Sequence, residues 1–134
     1  MQIEHTALLV HDYDPAIEFF VDVLGFALLE DSVATTSDGR EKRWVVVGPP
    51  GAQASLLLAR ADGPTQVAAV GSQFAGRVGL FLRVDDFNAT YQHLIAAGVE
   101  FVGSPRNEAF GRVVVFIDIS GNRWDLLGPR PEND

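Results

Sequence analysis

Residues 5–26 read HTALLVHDYDPAIEFFVDVLGF, and the fold is decided in this stretch. The run from Ile3 to Val10 is apolar-rich with β character. Alternation puts Ile3, His5, Ala7 and Leu9 on one strand face, and Glu4, Thr6, Leu8 and Val10 on the other. Asp14 suits a helix N-cap, because its carboxylate can accept from orphan backbone N–H groups. Pro15 suits the first helical position, where no N–H is needed. Ile17, Phe20, Val21 and Leu24 then recur at helical spacing as one apolar stripe. Gly25 supplies the stop, since that position often needs positive φ. The pattern predicts a strand followed by a helix over 15–24.

Outward from there, strands are expected over 26–35, 42–47 and 54–59. Ser37-Asp38-Gly39-Arg40 turns between the first two, and Pro49-Pro50-Gly51 ends the second. The first half is therefore βαβββ. Asp62 to Arg77 is rich in Gly, Ala, Ser, Thr and Gln and reads as a linker, with a short helix over Pro64 to Val70. A strand follows over 78–84, helix caps at Asp85-Asp86-Phe87-Asn88, and an apolar stripe of Phe87, Tyr91, Leu94 and Ile95. Gly98 stops this helix as Gly25 stops the first, and strands are expected over 99–102, 112–119 and 123–127. Ala16…Gly25-Phe26 and Ala89…Gly98-Val99 match at an offset of 73 residues. A unit that long is no solenoid repeat and implies a pseudo-symmetric pair of modules. The expectation is one α+β domain built from two βαβββ modules, about 1–61 and about 78–129, joined by a linker of about 62–77.

With 134 residues and 47% hydrophobic composition, the chain is long enough to bury a sizeable core. Its net charge of −8 and pI of about 4.7 repel nucleic acid backbones and anionic membranes, so neither is expected as a partner. The absence of cysteine excludes disulfides, zinc–thiolate sites and thiol nucleophiles. Met1-Gln2-Ile3-Glu4-His5 has neither a basic nor a long apolar region, so a cytoplasmic protein is the expectation. No Walker, Rossmann or nucleophile-elbow pattern is present.

The opening His5-Thr-Ala-Leu-Leu-Val10-His-Asp12 with Ala16…Phe19-Phe20…Leu24-Gly25-Phe26 resembles that of glyoxalase and bleomycin-resistance proteins, within the vicinal oxygen chelate superfamily. The ending Phe116-Ile-Asp118-Ile-Ser-Gly121-Asn122-Arg-Trp124-Asp125-Leu126 resembles their closing hairpin. The resemblance implies two modules whose mixed sheets curl around a shared cavity, commonly in a homodimer. In metal-dependent members, four positions on the first and last strands of the modules hold one divalent ion (Zn, Ni, Mn or Fe), which acts as a Lewis acid.

Position by position, the first ligand matches His5 and the last matches Asp125, where the metal enzymes usually carry Glu. The third falls on Gly79 or Val78, and the second on Ser55 or Leu56; none of these is a good ligand. His5 and Asp125 are thus the candidate metal-binding and catalytic residues. They could hold a metal, work without one as a base and its orienting partner, or simply bind a ligand. Trp44, Gln73, Phe74, Phe110 and Trp124 are the candidate cavity residues, with Gln73 and Phe74 in a linker suited to a lid. Two readings follow. One is a glyoxalase-like lyase or isomerase acting on a small oxygenated substrate. The other is a metal-free protein of the bleomycin-resistance type that sequesters a small molecule.

Overall fold

Parallel pairing of the first and fourth strands gives the N-terminal half its topology. β1 (His5–Val10) runs beside β4 (Ser55–Arg60), with His5 opposite Ser55 and Leu9 opposite Ala59. Parallel neighbours need a long crossover. Here it consists of α1 (Tyr13–Ile17), which runs on as a π-helical stretch Glu18–Val23, and the antiparallel strands β2 (Ala27–Thr35) and β3 (Glu41–Gly48). The sheet order is β1-β4-β3-β2. After α2 (Gly63–Ala69) the pattern recurs with β5 (Val78–Arg83), α3 (Phe87–Ala96), β6 (Phe101–Glu108), β7 (Gly111–Ile117) and β8 (Arg123–Gly128). The second sheet has the order β5-β8-β7-β6. This is a computed structural model describing residues 1–131.

The expected α+β architecture of two βαβββ modules is what the chain adopts. It divides into two units, Met1–Gln73 and Phe74–Asp134. No helix among the described residues is long and apolar enough to cross a membrane.

In the first unit, Leu8, Val10, Val45, Val47, Leu56 and Leu58 project from one face of the sheet and are buried. Tyr13, Ala16 and Phe20 of the helical segment are buried with them. The π-helical turn closes with Leu24 N donating to Phe19 O at 3.0 Å, and the adjacent Phe19 and Phe20 are both buried. In the second unit, Val114 and Phe116 of β7 lie beside Leu126 and Trp124 of β8, and Phe87 and Leu94 of α3 are buried.

Most boundaries shift by a residue or two, and two of the differences have a visible cause. The first helix starts at Tyr13, capped by Asp12, whose Oδ1 accepts from Tyr13 N at 2.8 Å. Asp14 is instead an ion-pair partner of Arg43, at 2.7 Å. β6 runs through Gly103 and Pro105 to Glu108, beyond the expected end at Val102. Those residues read as breakers in sequence. On an edge strand a register shift between Val102 and Arg106 absorbs both, with Gly103 at φ 78°.

Candidate functional site

The sheet face of the first unit that lies opposite its helix is set by alternation. His5, Ala7 and Leu9 of β1 stand beside Ser55, Leu57 and Ala59 of β4. Val46 of β3 lies opposite Leu57, so Trp44 and Lys42 share that face. Of the two candidates for the second ligand-equivalent position, Ser55 stands beside His5 and Leu56 beside Thr6.

His5 Nδ1 lies 2.8 Å from Ser55 Oγ, and Ser55 Oγ donates to Glu4 O at 3.0 Å. A hydroxyl has one proton to give. With that proton directed at Glu4 O, Ser55 is left to accept from His5, an arrangement that suits the neutral imidazole tautomer with its hydrogen on Nδ1. Its Nε2 then presents a lone pair, the form that a metal ligand or a general base requires. Glu4 Oε2 is 3.9 Å from that nitrogen. The Trp44 ring meets the imidazole edge-on, with centroids 6.1 Å apart.

At the C-terminal ends of β1 and β4 the same unit holds a cavity of about 510 Å³. Leu9, Leu57 and Ala59 form an apolar floor, and Trp44, 37% exposed, stands at its side. Arg40 and Asp62 also line it, joined by two hydrogen bonds of 3.0 and 2.9 Å. Gln73 lies at the outer edge of β1. Its side chain accepts from Leu9 N at 2.9 Å and donates to Ala7 O at 2.8 Å, as a neighbouring strand would.

In the second unit, Asp125 stands opposite Phe81 on one side and Val115 on the other. Burial pushes its carboxyl above the usual carboxylate range, partly offset by the positive charge of Arg106. Its Oδ1 is buried, and no group among the described residues donates to it. Trp124 projects from the opposite face of β8, 3% exposed, stacked on Phe116 and donating from Nε1 to Asp118 Oδ2 at 2.9 Å. Adjacent strand residues cannot share a face, so Trp124 and Asp125 do not meet. Phe110 is exposed beside the turn between β6 and β7. The Phe74 ring covers Gly79, where any Cβ would overlap it. The structure thus brings His5 and Trp44 together with Ser55. His5 belongs to the first unit and Asp125 to the second. Among the described residues, no three His, Asp or Glu side chains gather as a metal site.

The charged lining of the cavity escaped the sequence reading, although alternation from Trp44 points to Lys42. Asp118 escaped it too. Its carboxylate accepts from Ser120 N and Asn122 N, both at 2.9 Å, and so builds the last turn from within.

The family model described as Glyoxalase/Bleomycin resistance protein/Dioxygenase superfamily matches residues 2–126. An uncharacterized protein of Shewanella frigidimarina is 50% identical, over 93% of this chain and 91% of its own. The crystal structure of UcmS2 superimposes with a TM-score of 0.77 at 31% identity, covering 95% of this chain and 97% of that one. TnmS3, an antibiotic binding protein from Streptomyces sp. CB03234, does so with a TM-score of 0.75 at 34% identity, covering 96% of each chain.

Proposed function

This chain belongs to the glyoxalase/bleomycin resistance protein/dioxygenase superfamily, and from that premise we propose that it is a binding protein that sequesters a small, partly aromatic molecule in the cavity of its first unit. The observation that carries the reading is the apolar floor of Leu9, Leu57 and Ala59 beside the half-exposed Trp44 ring, around about 510 Å³ of space. Concave apolar walls with a few directed polar groups suit a small ligand. The likeness to an antibiotic binding protein supports the same reading. A homodimer is the proposed assembly, and light scattering tests it.

The donor set fits a resident metal poorly. Of the four ligand positions, His5 and Asp125 carry ligand side chains. Ser55 Oγ donates a hydrogen bond to Glu4 O and lies 2.8 Å from His5 Nδ1, and Gly79 lies under the Phe74 ring. Two strong donors fall short of the three or four protein ligands of a stable site. A second reading, glyoxalase-like catalysis at His5 and Asp125, is favoured by the hydrogen bonding of His5 to Ser55 and by the buried Asp125 Oδ1, to which no group among the described residues donates.

The test is a titration of Trp44 fluorescence with a panel of aromatic antibiotics, alongside metal analysis of protein purified without chelator. Saturable quenching at one ligand per chain is expected, lost when Leu57→Arg fills the floor. Stoichiometric metal, lost in both His5→Ala and Asp125→Ala, would replace the binding reading with the catalytic one.

A further inference from the structure

The lining of the cavity in the first unit is richer in cations than the chain as a whole. The chain carries 10 Lys and Arg against 18 Asp and Glu. Around the cavity the cations are Arg40, Lys42, Arg43 and Arg60, and the anions Glu41 and Asp62. Two of these cations are already neutralised. Arg40 pairs with Asp38 and Asp62, and Arg43 with Asp14 and Asp31. Lys42 and Arg60 form no ion pair among the described residues, although Arg60 acts on Asp62 through space. The Arg60 guanidinium rests 5.1 Å from the Tyr13 ring, a contact with the ring face that leaves its N–H donors available. Lys42 projects from the same face of β3 as Trp44, and Glu41 from the opposite face.

We infer that the ligand of this cavity is an organic anion, an aromatic body bearing a carboxylate, sulfonate or phenolate. This rests on the binding reading above. The body lies on Leu9, Leu57 and Ala59 against Trp44; Lys42 meets the charged end from that same face, and Arg60, which leaves β4 on the Tyr13 side, meets it from the rim of the cavity. Both side chains offer donors and no acceptor, so they select an acceptor-rich group over a donor. The physical need is plain. A chain of net charge −8 repels anions at long range, so an anionic ligand requires a local positive field at its site. A cationic ligand would need no such cluster and would be opposed by it.

Two dyes that differ in one group test the inference. 8-Anilinonaphthalene-1-sulfonate carries a sulfonate, and N-phenyl-1-naphthylamine is the same ring system without it. Each is titrated against the full chain, following dye emission and Trp44 quenching. The sulfonate should bind about tenfold more tightly than the neutral dye, and high salt should narrow the gap. Replacing both cations, Lys42→Met with Arg60→Met, should erase the preference and leave the neutral dye within about twofold. Glu41→Gln, which keeps both cations, should retain it. Equal affinity of the two dyes in the unaltered chain, or a preference indifferent to salt, would overturn the charge assignment and leave the binding reading standing. Failure of both dyes to bind would overturn the two together.

Discussion

His5 Nδ1 lies 2.8 Å from Ser55 Oγ, and the Ser55 hydroxyl donates to Glu4 O at 3.0 Å, which leaves the serine oxygen to accept from the imidazole. One serine therefore decides which nitrogen of the imidazole is basic. Ser55→Ala removes the decision. In side-chain ¹⁵N NMR of neutral His5, the unaltered chain should show Nδ1 protonated and Nε2 bare, and the variant a mixture. A spectrum of the unaltered chain with the proton on Nε2 would refute the assignment. The stability cost should be about 1 kcal/mol, the ordinary worth of a partly buried hydrogen bond.

Gly79 has no side chain because Phe74 is in the way. A Cβ would overlap the ring, at a position that the β5–β8 register shift leaves out of the pairing. Gly79→Ala should cost about 1–3 kcal/mol, the range for overpacking. In the Phe74→Ala background the same change should cost little. Urea unfolding of the four proteins gives the coupling, expected to exceed about 1 kcal/mol. Additive losses would show that the ring and the glycine are independent.

Asp118 gathers the end of the second unit. Its two oxygens accept from Ser120 N, Asn122 N, Asn122 Nδ2 and Trp124 Nε1, and the side chain is buried. Asp118→Ala strands those donors away from water. Thermal and denaturant unfolding should register a loss of about 2–4 kcal/mol. Near-UV circular dichroism should change as well, since the indole loses its hydrogen bond to Asp118. A near-neutral result would mean that water replaces the carboxylate.

The fold was legible because its signals are local and repeated. Gly25 and Gly98 both sit at φ 82°, the positive φ expected of a helix stop. Asp86 caps α3 by accepting from Ala89 N at 3.0 Å. What was illegible depended on partners distant in sequence. Asp14 looks like a cap until Arg43, 29 residues on, claims its carboxylate. Pro105 looks like a strand end until β6 proves to be an edge, where a missing N–H costs nothing. The site divides in the same way. Alternation alone separates Trp124 from Asp125, and that inference was available from sequence. That Ser55 rather than Leu56 meets His5 follows from the β1–β4 register, which no single stretch encodes.

Arg43 holds Asp31 through Nε at 3.1 Å and Nη2 at 2.7 Å, and that bonding lowers the Asp31 carboxyl below its ordinary 3.8. A carboxylate whose folded pKa is depressed contributes stability that is fully present above the unfolded value and lost as pH falls through the folded one. Asp31→Asn should therefore destabilise at neutral pH by about 0.5–1 kcal/mol, a modest figure because the pair is partly solvated. The difference from the unaltered chain should shrink below about pH 4 and vanish once both states are protonated. A penalty independent of pH would assign the effect to packing instead of charge.

Arg40 reaches from the β2–β3 turn to Asp62, just before α2, and the two side chains meet in a two-pronged ion pair. α2 buries no residue of its own. Its segment is tied down at one end by this pair and at the other by Gln73 on the edge of β1. Both ties are polar and both cross from one element to another, so the segment between them should open more readily than the sheet. Hydrogen exchange should show residues 62–73 exchanging well before β4. Arg40→Ala should speed exchange at the Asp62 end without lowering the global melting temperature by more than a few degrees, because the pair is solvent-exposed. Added salt should act in the same direction on the unaltered chain. If the segment also admits ligand to the cavity it borders, the same substitution should raise the association and dissociation rates of a bound dye together. A change in one rate alone would show that Arg40 touches the ligand directly and does not act as a latch.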